Sequence, residues 1–356
     1  MRLLICAGGT GGGVYPALTV TEVLDKSRHQ ILWVGSEGGM EAGLVARSGL
    51  DFIAIQAAGV HGVSLAKLPG NLAKLVRGYQ QSRKILKEFR PDVLFFTGGY
   101  VAIPMALAGR RYQSLLYVPD IEPGLALKTL AKFTDNIALT TPESKKWFSE
   151  KSKMTITGYP LREDIKKWSK PEAQQYFGLD PDLPAILFMG GSSGARSINQ
   201  AVVAILDQLL EDYQVIHLTG HLDWEPVQAA TVNAGDRYHP FPYLHEIGAA
   251  LAAADLAISR AGASSLGEYP YFGLPAILVP YPHAWHYQKV NADYLVERGA
   301  AVMIRDEELQ FDLLPLIKDV MDNPAYLEHM SRAMSALSQP LAAERIAALL
   351  FEMAEA

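Results

Sequence analysis

Short apolar runs alternate with longer stretches of helical period along most of this chain. Arg2 to Ala7 reads as a buried strand, and the glycine-rich GGTGGG at Gly8 to Gly13 follows it. Pro16 and Ala17 to Leu24 begin a helix, and Ile31 to Val34 is the next strand, ending in Gly35-Ser36-Glu37. Strand, glycine loop, helix and strand make a βαβ unit. Asp92 to Phe96 predicts another strand, followed by Thr97-Gly98-Gly99-Tyr100 and a helix from about Ile103. Leu115 to Val118 and Asn136 to Leu139 predict two more strands, with the loop Pro119 to Gly124 between them. Thr155 to Thr157 ends the first alternation.

The second half repeats the opening theme. Ala185 to Met189 is a strand, GGSSGA at Gly190 to Ala195 is its loop, and a helix follows from Ser197. Gln214 to Leu218 and Leu256 to Ser259 are strands, and Leu244 to Ala254 is a helix. A small-residue turn at Arg260-Ala261-Gly262 then opens a further helix, with Glu268 one to two turns in. Pro275 to Val279 is a strand, and Gln288 and Asn291 fall in a polar, aromatic loop after it. From Leu313 onward the period is helical, and Ala342 to Met353 is expected to cross back onto the first half. The pattern predicts an α/β chain of two Rossmann-like, doubly wound domains rather than one barrel. Their boundaries are 1–158, with helix 341–356 packing back on it, and 159–340. The charged, Pro- and Gly-rich segment from Gly158 to Pro184 opens the second.

A length of 356 residues fits two domains, and 49% hydrophobic with 20% charged residues fits a soluble globular protein. The single Cys6 excludes an intramolecular disulfide. The Met1 to Ala7 run meets glycines too early for a signal peptide, and no apolar run is long enough to span a bilayer. A net charge of −6 argues against nonspecific nucleic-acid binding. Val60 to Arg90 departs from that balance. Lys67, Lys74, Arg77, Arg83, Lys84, Lys87 and Arg90 oppose only Glu88, while Leu65, Leu68, Leu72, Leu75, Val76 and Tyr79 recur at helical spacing. A basic amphipathic segment suits an anionic membrane surface; the plainer reading is a solvated helix face. Leu68-Pro69-Gly70-Asn71 predicts a turn after which the helix restarts.

Free N–H groups and the positive dipole end at a helix start favour an anion. On one continuous helix, Glu268 would lie about 9 Å beyond Gly262, roughly the reach from a diphosphate to a ribose. Its two carboxylate oxygens suit two adjacent hydroxyls. An ordinary βα unit with small residues for close packing is the alternative. The first glycine loop breaks the dinucleotide fingerprint, since Thr10 takes the middle glycine's place between Gly8 and Gly13, although Glu37 offers a ribose acid. His217 and His221 are four apart but on a strand-to-turn, His283 and His286 lie in a loop with no cysteine nearby, and Asp180-Pro181-Asp182 sits in a turn before a strand, so none argues for a metal site. Diphosphate charge would then be met by helix N-termini and Arg162 or Arg260.

Taken together, GGTGG…YPA, TGGYVAIP at Thr97 to Pro104, PGL at Pro123 to Leu125, TGYPLR at Thr157 to Arg162, GGSSGARSINQ at Gly190 to Gln200 and SRAGASSLGE at Ser259 to Glu268 form a nearly end-to-end pattern. The chain resembles the bacterial MurG-type UDP-N-acetylglucosamine transferases of glycosyltransferase family 28. That family has the GT-B fold, two Rossmann-like domains facing each other across a cleft. The resemblance implies a metal-independent inverting transferase without cofactor, moving GlcNAc from UDP-GlcNAc to lipid I, a polyprenyl-diphosphate-linked acceptor, in peptidoglycan synthesis. It implies that Glu268 takes the ribose hydroxyls and the Leu244 backbone meets uracil. Ser192 and Arg162 would contact the diphosphate, and Gln288 with Asn291 would orient the sugar. The acceptor diphosphate would meet Thr10, Gly11, Gly12, Gly13, Gly98, Gly99 and Tyr100. Lys67, Lys74, Leu75, Arg77 and Tyr79 would sit on the cytoplasmic face of the membrane, making the protein peripheral.

Two departures fall on the acceptor side. The family usually has histidine where this chain has Gly13, and His-Glu-Gln-Asn where it has Tyr117-Val118-Pro119-Asp120. An inverting transfer needs a base for the acceptor proton, and glycine supplies none. Asp120 is the candidate base and Glu122 the weaker one. Three rivals remain: the same chemistry on another lipid or natural-product acceptor, a nucleotide-sugar-binding homologue with impaired catalysis, and an NAD-dependent enzyme.

Overall fold

A computed structural model describes residues 1–9, 11–25, 27–59, 68–191 and 194–356, without the side chains of residues 284–286. The chain divides into two compact units, Met1–Leu161 with Leu341–Ala356, and Arg162–Pro340.

The first unit holds seven parallel strands: β1 (Arg2–Ala7), β2 (Gln30–Ser36), β3 (Asp51–Ile55), β4 (Val93–Gly98), β5 (Gln113–Val118), β6 (Asn136–Leu139) and β7 (Lys153–Ile156). Their order across the sheet is β3-β2-β1-β4-β5-β6-β7. Along β1 the side chains alternate, so Leu3, Ile5 and Ala7 enter one core layer and Leu4 and Cys6 the other. The Gly11–Glu22 helix and the terminal Ala342–Glu355 helix cover the first layer; the latter buries Ile346, Leu350 and Met353 there. The Leu68–Phe89 and Ala102–Ala108 helices cover the second. Gly78 lets the longer helix approach the sheet, because a Cβ there would lie 2.0 Å from the Gln56 carbonyl oxygen.

The second unit holds six parallel strands: β8 (Ala185–Met189), β9 (Gln214–Leu218), β10 (Tyr238–Phe241), β11 (Leu256–Ser259), β12 (Ala276–Leu278) and β13 (Ala301–Met303), in the order β10-β9-β8-β11-β12-β13. Ile186, Phe188, Ile258 and Ile277 pack with Ile198, Val202, Leu313 and Ile317 of the Arg196–Asp212 and Leu309–Met321 helices.

Each sheet reverses its strand order once, between β1 and β4 and between β8 and β11. Such a reversal opens a crevice at the carboxyl ends of the two strands, where α/β sheets bind ligands. The glycine loops of each half leave the sheet at these points. In the first unit the β1–β4 register shifts between Cys6 and Ala7, so that Ala7 pairs with Gly98. This brings the two glycine loops into contact: a Cβ on Gly99 would lie 2.4 Å from the Gly8 carbonyl oxygen.

Several local expectations are corrected. The first glycine-loop helix begins at Gly11, not near Pro16. Glycine's poor propensity hides this in the sequence. The expected turn at residues 68–71 is helix instead, with Pro69 in the first turn, where no N–H is required. Leu244 precedes its helix, which runs Ile247–Ala253. Gln288 and Asn291 lie on a helix, Trp285–Val296, rather than in a loop. The turn after β11 is a 3-10 segment, Ala263–Leu266; the chain breaks at Gly267, and a short helix runs Glu268–Phe272. One continuous α-helix would place Pro270 in its interior, against the Leu266 carbonyl. The 9 Å helical rise from Gly262 to Glu268 therefore does not apply.

Candidate active site

In the second unit, the groups expected to meet a donor come from four segments. The Arg196–Asp212 helix follows the glycine loop, and its N-cap residue, Ala195, makes no side-chain cap among the described residues, which leaves the first N–H groups without that partner. Gly194 packs against the neighbouring strand end; a Cβ there would lie 2.1 Å from the Thr219 carbonyl oxygen, and its φ is 79°. Leu244 is buried, and its backbone makes no hydrogen bond among the described residues. Its N–H and C=O, three residues beyond β10, thus have no described partner. Glu268 is half-buried. Desolvation raises its pKa above the ordinary carboxylate value, while a hydrogen bond from Ser264 and the charge of Arg162 pull the other way. The structure thus brings Arg162 and Glu268 into one electrostatic neighbourhood. Arg162 also lies 3.4 Å from Asp164.

Other expected members are committed elsewhere. Arg260 pairs with Asp306, donates to Ser197 Oγ at 2.8 Å and to the Val279 carbonyl at 3.2 Å, and lies over the Tyr281 ring. It ties β11, β12 and the start of the Arg196–Asp212 helix together, so it braces the crevice rather than reaching into it. Asn291 is fully buried, and its amide donates to the Ala261 carbonyl at 3.1 Å. It therefore acts on the turn after β11 and presents no exposed amide to a sugar. Gln288 is half-buried, and its Oε1 accepts from the Tyr281 N–H at 2.8 Å, leaving its amide nitrogen facing outward from that bond. His217 lies in the core. Its Nδ1 is 2.8 Å from the Tyr238 hydroxyl, its Nε2 is 3.0 Å from Asn199 Oδ1, and burial pushes its pKa down to about 3. Asn199 Nδ2 is used on the Thr219 carbonyl and Asp223, so His217 Nε2 carries the proton and Nδ1 accepts from Tyr238. Neither imidazole nitrogen is open to a metal.

In the first unit, the Gly8–Gly9 turn, the start of the Gly11–Glu22 helix and the Gly98–Tyr100 segment form the crevice wall. Gly9, Gly98 and Gly99 have φ of 94°, 129° and 84°, in the region that favours glycine. Thr97 is buried, and its hydroxyl donates to the Gly13 carbonyl. A Cβ at Gly13 would stand 3.3 Å from the Thr97 carbonyl oxygen. A histidine is therefore tight there but not barred. Tyr100 is exposed.

The two acidic candidates separate. Glu122 is buried and pairs with Lys128 at 3.1 Å, and Lys128 in turn lies over the Trp147 ring. Its carboxylate stabilises the loop. Asp120 is half-buried in the same loop. Tyr117, at the position of the family histidine, is a core residue whose hydroxyl lies 2.8 Å from Thr140 Oγ1. Burial pushes its phenol well above the ordinary value. Val118 is likewise buried.

On the Leu68–Phe89 helix, Leu72, Val76 and Tyr79 are 50%, 57% and 37% exposed, an apolar stripe on a helix of this protein's surface. Lys74 and Arg77 are exposed beside it and Leu75 is half-buried. No described helix is long and apolar enough to cross a membrane. Thr10, Ser192, Ser193, Leu65 and Lys67 lie outside the described residues.

Sequence reasoning missed Glu41 altogether. This buried acid meets Gly8, Gly35 and Gly39, and no local pattern marks it.

Residues 3–139 match the glycosyltransferase family 28 N-terminal domain, and residues 185–346 match the family's C-terminal domain. A UDP-N-acetylglucosamine--N-acetylmuramyl-(pentapeptide) pyrophosphoryl-undecaprenol N-acetylglucosamine transferase of Roseiflexus sp. (strain RS-1) is 37% identical, covering 98% of this chain and 94% of its own. The transferase of the same name from Halothermothrix orenii is also 37% identical, over 100% of each chain. Among solved structures, Acinetobacter baumannii MurG has a TM-score of 0.80 at 25% identity and covers 99% of each chain. A UDP-GlcNAc 2-epimerase from Neisseria meningitidis bound to UDP-GlcNAc has a TM-score of 0.70 at 13% identity, covering 99% of this chain and 100% of its own; it shares the fold.

Proposed function

This chain belongs to glycosyltransferase family 28, and from that premise we propose that it transfers GlcNAc from UDP-GlcNAc to the muramyl sugar of lipid I, giving lipid II. The observation that carries the donor half is the second crevice. Glu268, the unbonded Leu244 backbone, Arg162 and the start of the Arg196–Asp212 helix offer a diol acceptor, a base-edge pair and two sources of positive potential. Glu268 holds the ribose hydroxyls, Leu244 meets uracil, and Arg162 with the helix N-terminus and Ser192 takes the diphosphate. Gln288 reaches the sugar, while Asn291 shapes the turn beneath it.

In the reaction an acceptor hydroxyl oxygen attacks the anomeric carbon, and the bond from that carbon to the UDP oxygen breaks. Configuration inverts, UDP leaves as the anion, and the hydroxyl proton passes to a base. Asp120 is the group we assign to that proton, since Glu122 is engaged by Lys128 and Gly13 and Tyr117 offer nothing. Arg162 and the helix N-terminus stabilise the departing diphosphate without a metal. The glycine loops of the first unit take the acceptor diphosphate. The Leu68–Phe89 helix sets its apolar stripe and cations on the anionic cytoplasmic face of the membrane that carries the lipid.

The test is UDP release from UDP-GlcNAc with a lipid I analogue, in parallel with a glycolipid acceptor. Turnover with the muramyl acceptor supports the reading. Turnover only with the other acceptor supports the second reading, a transferase of altered acceptor, which the core character of Tyr117 and Val118 favours. Donor binding without UDP release from either would leave a nucleotide-sugar-binding protein.

A further inference from the structure

Glu41 opens the short Glu41–Arg47 helix, yet it is completely buried. Its Oε1 accepts from the Ser36 N–H and from Ser36 Oγ, each at 2.6 Å. Its Oε2 accepts from the Gly9 N–H at 3.4 Å. No basic side chain pairs with it among the described residues. The surroundings are shaped to admit it. A Cβ on Gly8 would lie 2.4 Å from Oε1, one on Gly39 2.3 Å from Oε1, and one on Gly35 2.8 Å from its Cγ. Gly8 is thus held between this carboxylate on one side and the Gly99 backbone on the other.

A buried carboxylate with no cation is costly to the fold. Its donors are few, and one belongs to the Gly9 turn, the segment that leads into the crevice. We propose that Glu41 is a positioning residue for the acceptor. It clamps the Gly8–Gly9 turn against Ser36, so that the N–H groups at the start of the Gly11–Glu22 helix keep a fixed aim at a lipid-linked diphosphate. The identity of that ligand rests on the function proposed above; the clamp itself rests on contacts within the first unit. The hydrogen bond to Gly9 spends that N–H on the protein, so the diphosphate is met by the N–H groups that follow. At Gly8 and Gly39 a side chain would displace the acid, and at Gly35 it would meet the Phe52 ring at 2.6 Å as well as the acid at 2.8 Å.

The test uses the full chain with Glu41→Gln, which keeps the shape but turns one oxygen acceptor into a donor facing Gly9 or Ser36. Steady-state rates with a lipid I analogue should show an acceptor KM raised about tenfold, as for loss of a charge-assisted hydrogen bond. UDP-GlcNAc affinity, measured by calorimetry, should stay within about twofold. Amide hydrogen exchange should accelerate at residues 8–15 and 36–39 and not elsewhere in the first unit. Ser36→Ala removes only one donor and should shift the acceptor KM in the same direction by a smaller factor; it decides the question if Glu41→Gln does not accumulate. An unchanged acceptor KM, donor and acceptor constants that move together, or exchange that rises throughout the first unit would each overturn the clamp. If the wild type does not turn over the muramyl acceptor, the proposed function fails, and the exchange pattern still decides the clamp.

Discussion

Glu268 and Asp120 carry opposite kinds of demand. Glu268 is raised in pKa chiefly by desolvation, so the ligand-free fold bears the cost of ionising it. The sign follows from linkage. A carboxyl raised in the folded state contributes its full stability below the unfolded pKa, and that contribution is lost as the pH rises through the folded value. Glu268→Gln should therefore raise the melting temperature of the ligand-free protein at about pH 7.5, with the gain shrinking toward about pH 4.5. The same substitution should weaken UDP-GlcNAc binding by about tenfold or more, because an amide offers one acceptor oxygen to two hydroxyls. Thermal shift with and without donor reads both effects, and a variant that binds normally contradicts the ribose assignment. For Asp120, the expected result of Asp120→Asn is a fall in kcat of about a hundredfold or more at saturating donor, with donor affinity unchanged. Full turnover would remove it as the base. Gly13→His is expected to fold, since a Cβ there would meet the Thr97 carbonyl oxygen at 3.3 Å and the Gly8 carbonyl oxygen at 3.7 Å, neither below 3.0 Å; restored or increased turnover in an Asp120→Asn background would show the two groups to be interchangeable.

At the scale of elements, helix ends and glycine turns do the placing. The Arg196–Asp212 helix is set by Arg260, which joins Ser197 to Asp306 and Val279. Arg260→Ala should weaken donor binding through a misplaced helix start, and its effect should be only partly recovered by lysine, which cannot fork to three partners. The Leu68–Phe89 helix buries Gly78, Ser82, Ile85 and Leu86 and leaves Leu72, Val76 and Tyr79 exposed. Reversing Lys74 and Arg77 to glutamate should reduce co-sedimentation with anionic vesicles about tenfold or more, at roughly 1 kcal/mol per charge near the surface, and should have little effect on neutral vesicles. Binding that ignores both salt and lipid charge would reduce that helix to a solvated face. Sequence period found several strands to the residue, including Asn136–Leu139, Ala185–Met189, Gln214–Leu218 and Leu256–Ser259. It missed β3 and β13, and it misjudged elements with glycine or proline inside them, at Gly11–Gly13, at Pro69 and around Gly267 and Pro270. There the tertiary contacts, such as Thr97 on Gly13, override weak local propensity.

For the molecule as a whole, the last helix belongs to the first unit in space although it follows the second in sequence. Ile346 and Leu350 are fully buried in the layer formed by Leu3, Ile5, Val20 and Leu115. Leu350→Ala should cost about 2–5 kcal/mol of stability in the first unit. Hydrogen exchange should show that loss across β1, β4 and the Gly11–Glu22 helix, while UDP-GlcNAc affinity, which we propose to reside in the second unit, should hold. A loss spread equally over both units would mean that they unfold as one cooperative body.

The alternation of apolar runs and glycine loops was sufficient to determine an α/β chain of two doubly wound halves, because strand and helix periods are local and survive without context. The glycine loops also marked the crevices, since each follows a strand directly. Which acid does what was decided only by the tertiary structure. Glu122 and Asp120 are two residues apart and look alike in the sequence, yet one is buried against Lys128 and the other is half-buried in the loop. Arg260 looked free for a phosphate until Asp306, 46 residues on, was seen to hold it. Glu41 carried no signal, because its burial joins two segments far apart in the chain, the Gly8–Gly9 turn and the Gly35–Gly39 turn. Burial is a property of neighbours brought together by the sheet, and even a short-range pair such as Glu122 with Lys128 forms only because the folded loop turns the two side chains together.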